Sequence, residues 1–113
     1  MNQGFVKVAS ATPRIRVADP VYNAQVICEQ AKEAAEHGAK IVVFPELCIT
    51  GYTCNDLFLQ ELLLEKAKEA LLTIVEETGQ LEALFLVGLP VDKDGRLYNV
   101  AAVLYRGRIL GMI

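Results

Sequence analysis

The sequence predicts an α/β fold in which a mixed, mostly parallel sheet carries two helices on one face. Three observations predict it: short apolar runs alternate with amphipathic helical stretches, turn signals separate them, and the last apolar runs follow one another through short turns. The predicted order is β-α-β-α-β-β-β. Right-handed crossovers make the first three strands parallel, and the hairpins add antiparallel neighbours.

The first strand is predicted at residues 5–11, where apolar side chains alternate with small or polar ones. A helix then begins at Asp19 and Pro20, because aspartate accepts hydrogen bonds from the free N–H groups of a first turn and proline suits the first helical position. Gly38 is expected to end this helix near His37 in the left-handed conformation. The predicted buried stripe is mostly alanine: Ala24, Ile27, Cys28, Ala31, Ala34 and Ala35.

The second half follows from the same patterns. Residues 41–44 form an apolar run rich in β-branched side chains, which predicts a parallel strand covered on both faces. After a polar segment at residues 45–56 comes a second helix, which Gly79 is predicted to close. Its predicted buried stripe is Leu59, Leu63, Ala67, Ala70, Leu71, Ile74 and Val75. The chain is completed by strand 83–89, turn 92–95, strand 97–105, turn 106–108 and strand 109–113.

We expect residues 1–113 to be the N-terminal fragment of one domain. The chain is 53% hydrophobic with a mean hydropathy of +0.32, which is richer in apolar residues than most soluble domains. Its last strand, at residues 109–113, has no cap, closing helix or polar tail. A bare apolar edge of this kind invites association, which indicates that the chain was cut from something longer. We also expect the parent protein to be a homo-oligomer.

Charge and composition exclude several classes of function. The net charge is −3 and the 11 Lys and Arg residues are scattered, so a nucleic-acid partner is not expected. No charge-free run approaches the ~18 residues of a membrane span, and no secretory signal is recognisable, so the predicted location is cytoplasmic. Cys28, Cys48 and Cys54 lack metal-ligand spacing, which predicts reduced thiols and no metal site.

Glu46 is the residue in the best position for chemistry. It follows Pro45 directly after the predicted strand 41–44, and ligands of open α/β sheets gather beyond the carboxyl ends of the strands. A carboxylate held there between apolar walls would have a raised pKa and could serve as a general base. From position alone, Glu46 could equally cap the next backbone segment or pair with an arginine.

Residues 41–57 resemble the segment that carries the catalytic glutamate of the nitrilase, or carbon–nitrogen hydrolase, superfamily. There a buried strand leads into Pro-Glu and a Thr-Gly-Tyr turn, matched here by Pro45-Glu46-Leu47 and Thr50-Gly51-Tyr52. The surroundings also fit, including His37-Gly38-Ala39 and Leu97-Tyr98-Asn99. The resemblance covers essentially the whole chain and implies part of a nitrilase-like α-β-β-α sandwich.

Within that superfamily the chain looks most like the N-terminal domain of glutamine-dependent NAD synthetases. The features that favour this branch are Phe5 to Ala9, Ala11-Thr12-Pro13, Val17 to Pro20, Thr50 to Phe58 and Leu97 to Ala101. The resemblance implies that the parent hydrolyses glutamine and supplies ammonia to a separate domain. That domain would use ATP and magnesium to make NAD, whereas the fragment itself would bind no cofactor.

The resemblance also implies a mechanism with a glutamate, a lysine and a cysteine. Glu46 would be the general base, the cysteine thiolate would attack the glutamine amide, and the lysine would stabilise the oxyanion. The family's lysine follows the Gly107 to Gly111 turn and its cysteine lies at a later strand-to-helix elbow, so both are expected beyond Ile113 and the fragment is expected to be inactive. Neither Cys28, Cys48 nor Cys54 is expected to be the nucleophile, and Lys40 is interpreted as a solvated strand-entry residue.

Three other polar residues are candidates for a role in the site. Tyr52 could line the amide pocket, as the corresponding tyrosine does in relatives, or pack beneath the turn. His37 is interpreted as a helix-end residue, and Asn99 as a residue that satisfies backbone at a strand end rather than one that touches substrate.

Two rival functions remain at this point. The chain could belong to another amidase or carbamoylase branch of the superfamily. It could also be a small, non-catalytic α/β binding module in which Glu46 is structural.

Overall fold

The computed structural model of the chain describes residues 7–11, 13–15, 19–45, 49 and 57–113; of residues 57–61, 93, 96 and 97 it describes the backbone alone. Within these ranges one five-stranded sheet has the order β1-β2-β3-β4-β5. The elements are β1 Val8–Ser10, α1 Pro20–Glu36, β2 Ile41–Val43, α2 Leu57–Glu77, β3 Leu84–Lys93, β4 Arg96–Tyr105 and β5 Arg108–Met112. The predicted α/β class and element order are confirmed.

The sheet is parallel on one side and antiparallel on the other. β1, β2 and β3 run parallel, with Val42 beside Ala9 and Phe85, and β4 and β5 are added as antiparallel hairpins. Both hairpin turns are shorter than predicted. They contain two residues each, and all four of these residues have positive φ: Asp94 (54°), Gly95 (76°), Arg106 (50°) and Gly107 (80°). Such turns match the twist of the flanking strands.

Strand β3 extends beyond its predicted end at Leu89 and continues through Pro90 to Lys93. Proline is tolerated because of the way backbone groups alternate along β3. The N–H of Leu84 and the carbonyls of Leu86 and Gly88 point toward β2 and the segment after it. Pro90 has the same parity, so its missing N–H removes no hydrogen bond to β4.

Helix α1 forms as the sequence predicts. The Asp19 carboxylate accepts a hydrogen bond from the Tyr22 N–H at 3.2 Å, and Pro20 is the first helical residue. At the other end His37 is the C-cap, and Gly38 follows in the left-handed conformation, with φ of 87°. The Gly38 N–H donates to the Ala35 carbonyl at 3.0 Å, as expected for a helix that ends in this way.

Helix α2 ends close to the predicted position. It stops at Glu77, two residues before Gly79, and the next residue, Thr78, donates both its N–H (2.9 Å) and its buried hydroxyl (2.7 Å) to the Ile74 carbonyl. The φ of Gly79 is not positive. The threonine side chain, and not a left-handed glycine, therefore satisfies the last turn.

The core lies between the two helices and one face of the sheet. Its members are Ala24, Ile27, Cys28 and Ala31 of α1, Ala67, Ala70, Leu71 and Ile74 of α2, and strand residues that include Val42, Phe85, Val87, Leu89, Ala102 and Leu104. The opposite face of the sheet is more open, with Val43 and Tyr105 each 38% exposed. The prediction that residues 41–44 are covered on both faces is therefore wrong for Val43, because both helices lie on the other face.

Candidate active site

The candidate site lies at the carboxyl edge of β2 and β3, where sequence and fold both predict chemistry. β2 ends at Val43 beside Leu86 of β3, and the chain then continues through Phe44 and Pro45. Glu46 comes next in the sequence. Glu46 and Tyr52, the two predicted site residues, lie outside the described residues, and so do Cys48 and Cys54. The structure describes what surrounds the Glu46 segment, defined here as residues 46–48.

Phe44 fixes the near end of the Glu46 segment. Its N–H donates to the Leu86 carbonyl at 2.9 Å, so the pairing of β2 with β3 continues one residue past the strand. Its ring is 5% exposed and belongs to the core. Pro45 has no N–H to extend the ladder, and it is exposed. The chain therefore leaves the sheet at a defined point immediately before Glu46.

Ile49 fixes the far end. Its N–H donates to the Gly88 carbonyl at 3.2 Å, and its own carbonyl accepts a hydrogen bond from the Asn23 side-chain amide at 2.6 Å. Its side chain is fully buried. Backbone donor, backbone acceptor and side chain of Ile49 are thus all engaged, and three residues separate it from Pro45.

Asn23 is the polar residue that the sequence analysis overlooked. It lies in the first turn of α1, is fully buried, and its N–H donates to the Asp19 carbonyl at 3.0 Å as the helix begins. The available signal was its spacing, because Asn23, Ile27 and Ala31 recur every fourth residue along the buried stripe. A polar residue on an otherwise small, apolar stripe requires a hydrogen-bond partner, here the Ile49 carbonyl.

A cavity of about 260 Å³ opens beside this edge. It is lined by Phe44, Gly88, Asn99, Val100, Ala101 and Ile113. Asn99 was interpreted as a strand-end residue, but it lies inside β4 opposite Pro90. The reason is that the pairing of β3 with β4 continues to Lys93 and Arg96, beyond the predicted end of β3 at Leu89. The cavity is thus mainly apolar. Asn99 is the polar residue of its lining, and Phe44, two residues before Glu46 in the sequence, also lines it.

The other candidate residues lie away from this edge. Cys28 lies within α1, and burial, with the Glu77 carboxylate nearby, raises the pKa of its thiol to about 11, so it is protonated at neutral pH. Lys40 is exposed at the amino end of β2, the edge opposite Pro45. His37 ends α1, and its backbone N–H and ring Nδ1 both lie within hydrogen-bonding distance of the Glu33 carbonyl. These three positions agree with the sequence analysis.

The part of the chain that the structure describes contains no group of three His, Cys, Asp or Glu residues that could hold a metal ion. None of its helices is long and apolar enough to cross a membrane.

Residues 7–112 match the model of the carbon-nitrogen hydrolase family, and the chain belongs to that family. The resemblance predicted from the segment around Pro45-Glu46-Leu47 is confirmed.

The chain is similar to glutamine-dependent NAD(+) synthetases both in sequence and in structure. The chain is 39% identical over 112 residues to the glutamine-dependent NAD(+) synthetase of Mycobacterium tuberculosis, a match that covers 99% of this chain and 16% of that protein. The crystal structure of a glutamine-dependent NAD(+) synthetase from Cytophaga hutchinsonii superimposes with a TM-score of 0.84 at 30% identity, covering 95% of this chain and 18% of that one. The chain thus spans less than a fifth of the length of these relatives.

An amidase from Nesterenkonia shares the fold more distantly. Its crystal structure superimposes with a TM-score of 0.75 at 23% identity, over 95% of this chain and 41% of that one. At this level of identity the match shows the common α/β architecture alone.

Proposed function

We propose that this chain is the opening part of a glutamine-hydrolysing domain, and that the full-length protein uses the ammonia for ATP-dependent synthesis of NAD. The observation that carries the proposal is the 39% identity, over 99% of the chain, to a protein named as a glutamine-dependent NAD(+) synthetase. The same branch provides a crystal structure that matches 95% of the chain with a TM-score of 0.84.

Glu46 is the general base of this proposal. It directly follows the exit of the chain from the sheet at Pro45, between two residues whose backbones are hydrogen-bonded to β3, Phe44 and Ile49. A general base must be held within hydrogen-bonding reach of the proton that it removes, so rigid flanks suit this role. Tyr52 is proposed to line the pocket for the glutamine side-chain amide.

The reaction requires two partners for Glu46. The carboxylate takes the proton of a cysteine thiol, and the thiolate sulfur attacks the amide carbon of glutamine to give a tetrahedral oxyanion, which a lysine ammonium stabilises. The oxyanion collapses as the nitrogen takes the proton from Glu46 and leaves as ammonia, and a thioester remains. Glu46 then removes a proton from water, and hydroxide attacks the thioester carbon. The C–S bond breaks to release glutamate, and Glu46 returns its proton to the cysteine sulfur.

We propose that the lysine and the cysteine lie beyond Ile113, and that the 113 residues alone release no glutamate from glutamine. Two observations support this. The Cys28 thiol is buried in α1 with a pKa raised to about 11, and Lys40 is exposed at the edge of the sheet opposite Pro45. Neither is therefore in a position to act with Glu46.

We also propose a wider setting for this reaction. ATP and magnesium would bind in a synthetase domain outside these residues, and this chain would contribute no ligand to them. The parent protein is proposed to be a cytoplasmic homo-oligomer whose small-molecule substrate at this site is glutamine.

The test uses the full-length protein with two nitrogen sources. Glu46→Gln should abolish glutamate release and glutamine-dependent NAD formation, while NAD formation from added ammonia continues, because ammonia bypasses amide hydrolysis. Glu69→Gln is the matched control, since Glu69 is an exposed residue of α2. Glutamine-dependent activity that survives Glu46→Gln would show that Glu46 is not the general base.

The same assay separates the rival functions. Another amidase branch would hydrolyse an amide but form no NAD from ammonia, and a non-catalytic module would do neither. No described contact favours either rival over the proposed function.

A further inference from the structure

The buried side-chain amide of Asn23 is hydrogen-bonded to Ile49, the residue that follows the Glu46 segment, and the proposed function assigns no role to this contact. The Asn23 Nδ2 group donates to the Ile49 carbonyl at 2.6 Å, across 26 residues of sequence and inside the core. This hydrogen bond connects the first turn of α1 to the residue that ends the Glu46 segment.

An asparagine is a costly choice for this position. Burial of an amide costs free energy unless its hydrogen bonds are replaced, and asparagine also has a poorer helix propensity than alanine or leucine. Its neighbours on the stripe, Ile27 and Ala31, are apolar and fully buried. Local departures from the rules of stability tend to occur at functional sites, so the departure at Asn23 calls for a function.

The hydrogen bonds of Phe44 and Ile49 indicate that this function concerns the position of the Glu46 segment. β3 holds the two ends of the Glu46 segment, through the Leu86 carbonyl before it and the Gly88 carbonyl after it. Asn23 reaches the same segment from the helix layer. With three residues between Pro45 and Ile49, the span of the connection is limited to about 3.3–3.6 Å per residue. Fixing Ile49 from a second direction therefore restricts where the segment can run.

We infer that Asn23 is a positioning residue for Glu46, which acts through the Ile49 carbonyl to hold the general base against its proton donor. The inference rests on the proposed function, since it assigns Asn23 a role in the reaction of Glu46. The described side-chain hydrogen bond of Asn23 ends on a backbone carbonyl, so its action on Glu46 is indirect. Displacement of a reacting group by about 1 Å can cost about 100-fold in rate.

The test compares Asn23→Leu with Ile27→Val in the full-length protein. Leucine has the same number of side-chain heavy atoms as asparagine and the same branching at Cγ, but it is bulkier and has no donor. Ile27→Val perturbs the same buried stripe one turn further on without removing a polar contact. For Asn23→Leu we expect kcat for glutamine hydrolysis to fall at least about tenfold, with a much smaller change in KM. NAD formation from ammonia should be unchanged, which shows that the synthetase domain is intact, and a cooperative thermal unfolding transition of the domain that carries Asn23 shows that this domain is folded.

The pH profile provides a readout that a merely structural role would not move. A loosened segment admits water, and a better hydrated carboxylate ionises at lower pH, so the acid limb of kcat/KM should move to lower pH in Asn23→Leu. Ile27→Val should leave this limb in place. If Asn23→Leu does not fold, Asn23→Ala removes the same donor with a smaller side chain and is compared in the same way.

Each result has one meaning. A lower kcat together with a shifted acid limb supports the inference. Unchanged kcat and an unchanged limb in a folded Asn23 variant would overturn it, even if the thermal stability had fallen. Loss of activity in Glu46→Gln with full activity in Asn23→Leu would overturn this inference alone, whereas full activity in Glu46→Gln would overturn the proposed function.

Discussion

Gly79 and Gly107 bring the end of α2 against the second hairpin turn. A Cβ atom added at Gly79 would lie 3.3 Å from the Glu76 carbonyl oxygen, closer than side chains normally pack, and 3.4 Å from the Gly107 Cα, at the short end of ordinary contact. Since Gly79 does not have a positive φ, this crowding by backbone atoms, and not backbone conformation, accounts for the glycine. The contact joins the helix layer to the antiparallel side of the sheet.

Gly79→Ala should therefore destabilise the fold through crowding. We expect a loss of about 1 kcal/mol, because an added methyl group in a packed contact forces small backbone shifts. Gly111→Ala is the control, since a Cβ there meets nothing within 4 Å. Thermal unfolding of the protein that carries this chain measures both, and equal stability of the two variants would contradict the crowding.

Gly107→Ala should destabilise for a different reason. Gly107 has a φ of 80°, and an L-residue in the left-handed region costs about 1–2 kcal/mol. Its Cβ would lie 3.7 Å from the Gly79 Cα, which is ordinary contact, so backbone strain is the main cost. Gly107→Asn should recover part of the loss, since asparagine tolerates this conformation better. If alanine and asparagine had the same effect on urea unfolding, strain would not be the cause.

Asp19 should stabilise α1 through its side-chain acceptor. Asp19→Ala removes the cap on the Tyr22 N–H and is expected to cost about 1 kcal/mol. Asp19→Asn keeps an oxygen acceptor at the same place and should cost only a few tenths of that amount. Denaturant midpoints measure the difference, and an asparagine variant as unstable as the alanine variant would show that charge and not capping is what matters.

Cys28 should make stability fall at alkaline pH. Burial, aided by the Glu77 carboxylate, raises the pKa of its thiol from 9.0 to about 11 in the folded state. Below pH 9 the thiol is protonated in both states and has no effect. Between pH 9 and 11 only the unfolded state ionises, so the free energy of unfolding falls as pH rises, by on the order of 1–2 kcal/mol.

The measurement for Cys28 is the difference between wild type and Cys28→Ala. Lysines and tyrosines also titrate in this range, but their contributions are common to both proteins and cancel. Urea unfolding at several pH values between 8 and 10.5 should show the stability advantage of the wild type shrinking with pH. A difference that stays constant across this range would contradict the raised pKa.

Local signals in the sequence predicted the βαβ unit because each depends on neighbouring residues. The capping of α1 by Asp19, its end at Gly38 and the buried stripe between them all involve contacts within a few positions. The continuation of β3 through Pro90 was more difficult to predict. Whether a proline ends a strand depends on which neighbouring strand its missing N–H would face, and pairing with distant residues decides this.

The candidate site could be predicted in part. Glu46 was predicted from the Pro-Glu pair after β2 and stays a prediction. Asn23 could not be assigned from the sequence, because its partner, the Ile49 carbonyl, is 26 residues away and carries no signature of its own. A buried polar position shows that some partner exists, but the fold decides which one.

The division of the sheet into a parallel and an antiparallel side has a consequence for folding kinetics. The β3–β4 and β4–β5 pairings close through two-residue turns, whereas β1–β2 and β2–β3 each require a helix and its flanking loops to be ordered first. Contacts of low sequence separation form fastest, so the meander from Leu84 to Met112 should acquire amide protection before β1 and β2 join it. Pulsed hydrogen exchange during refolding would record this order, and it makes the edge next to Glu46 one of the last parts of the sheet to be completed.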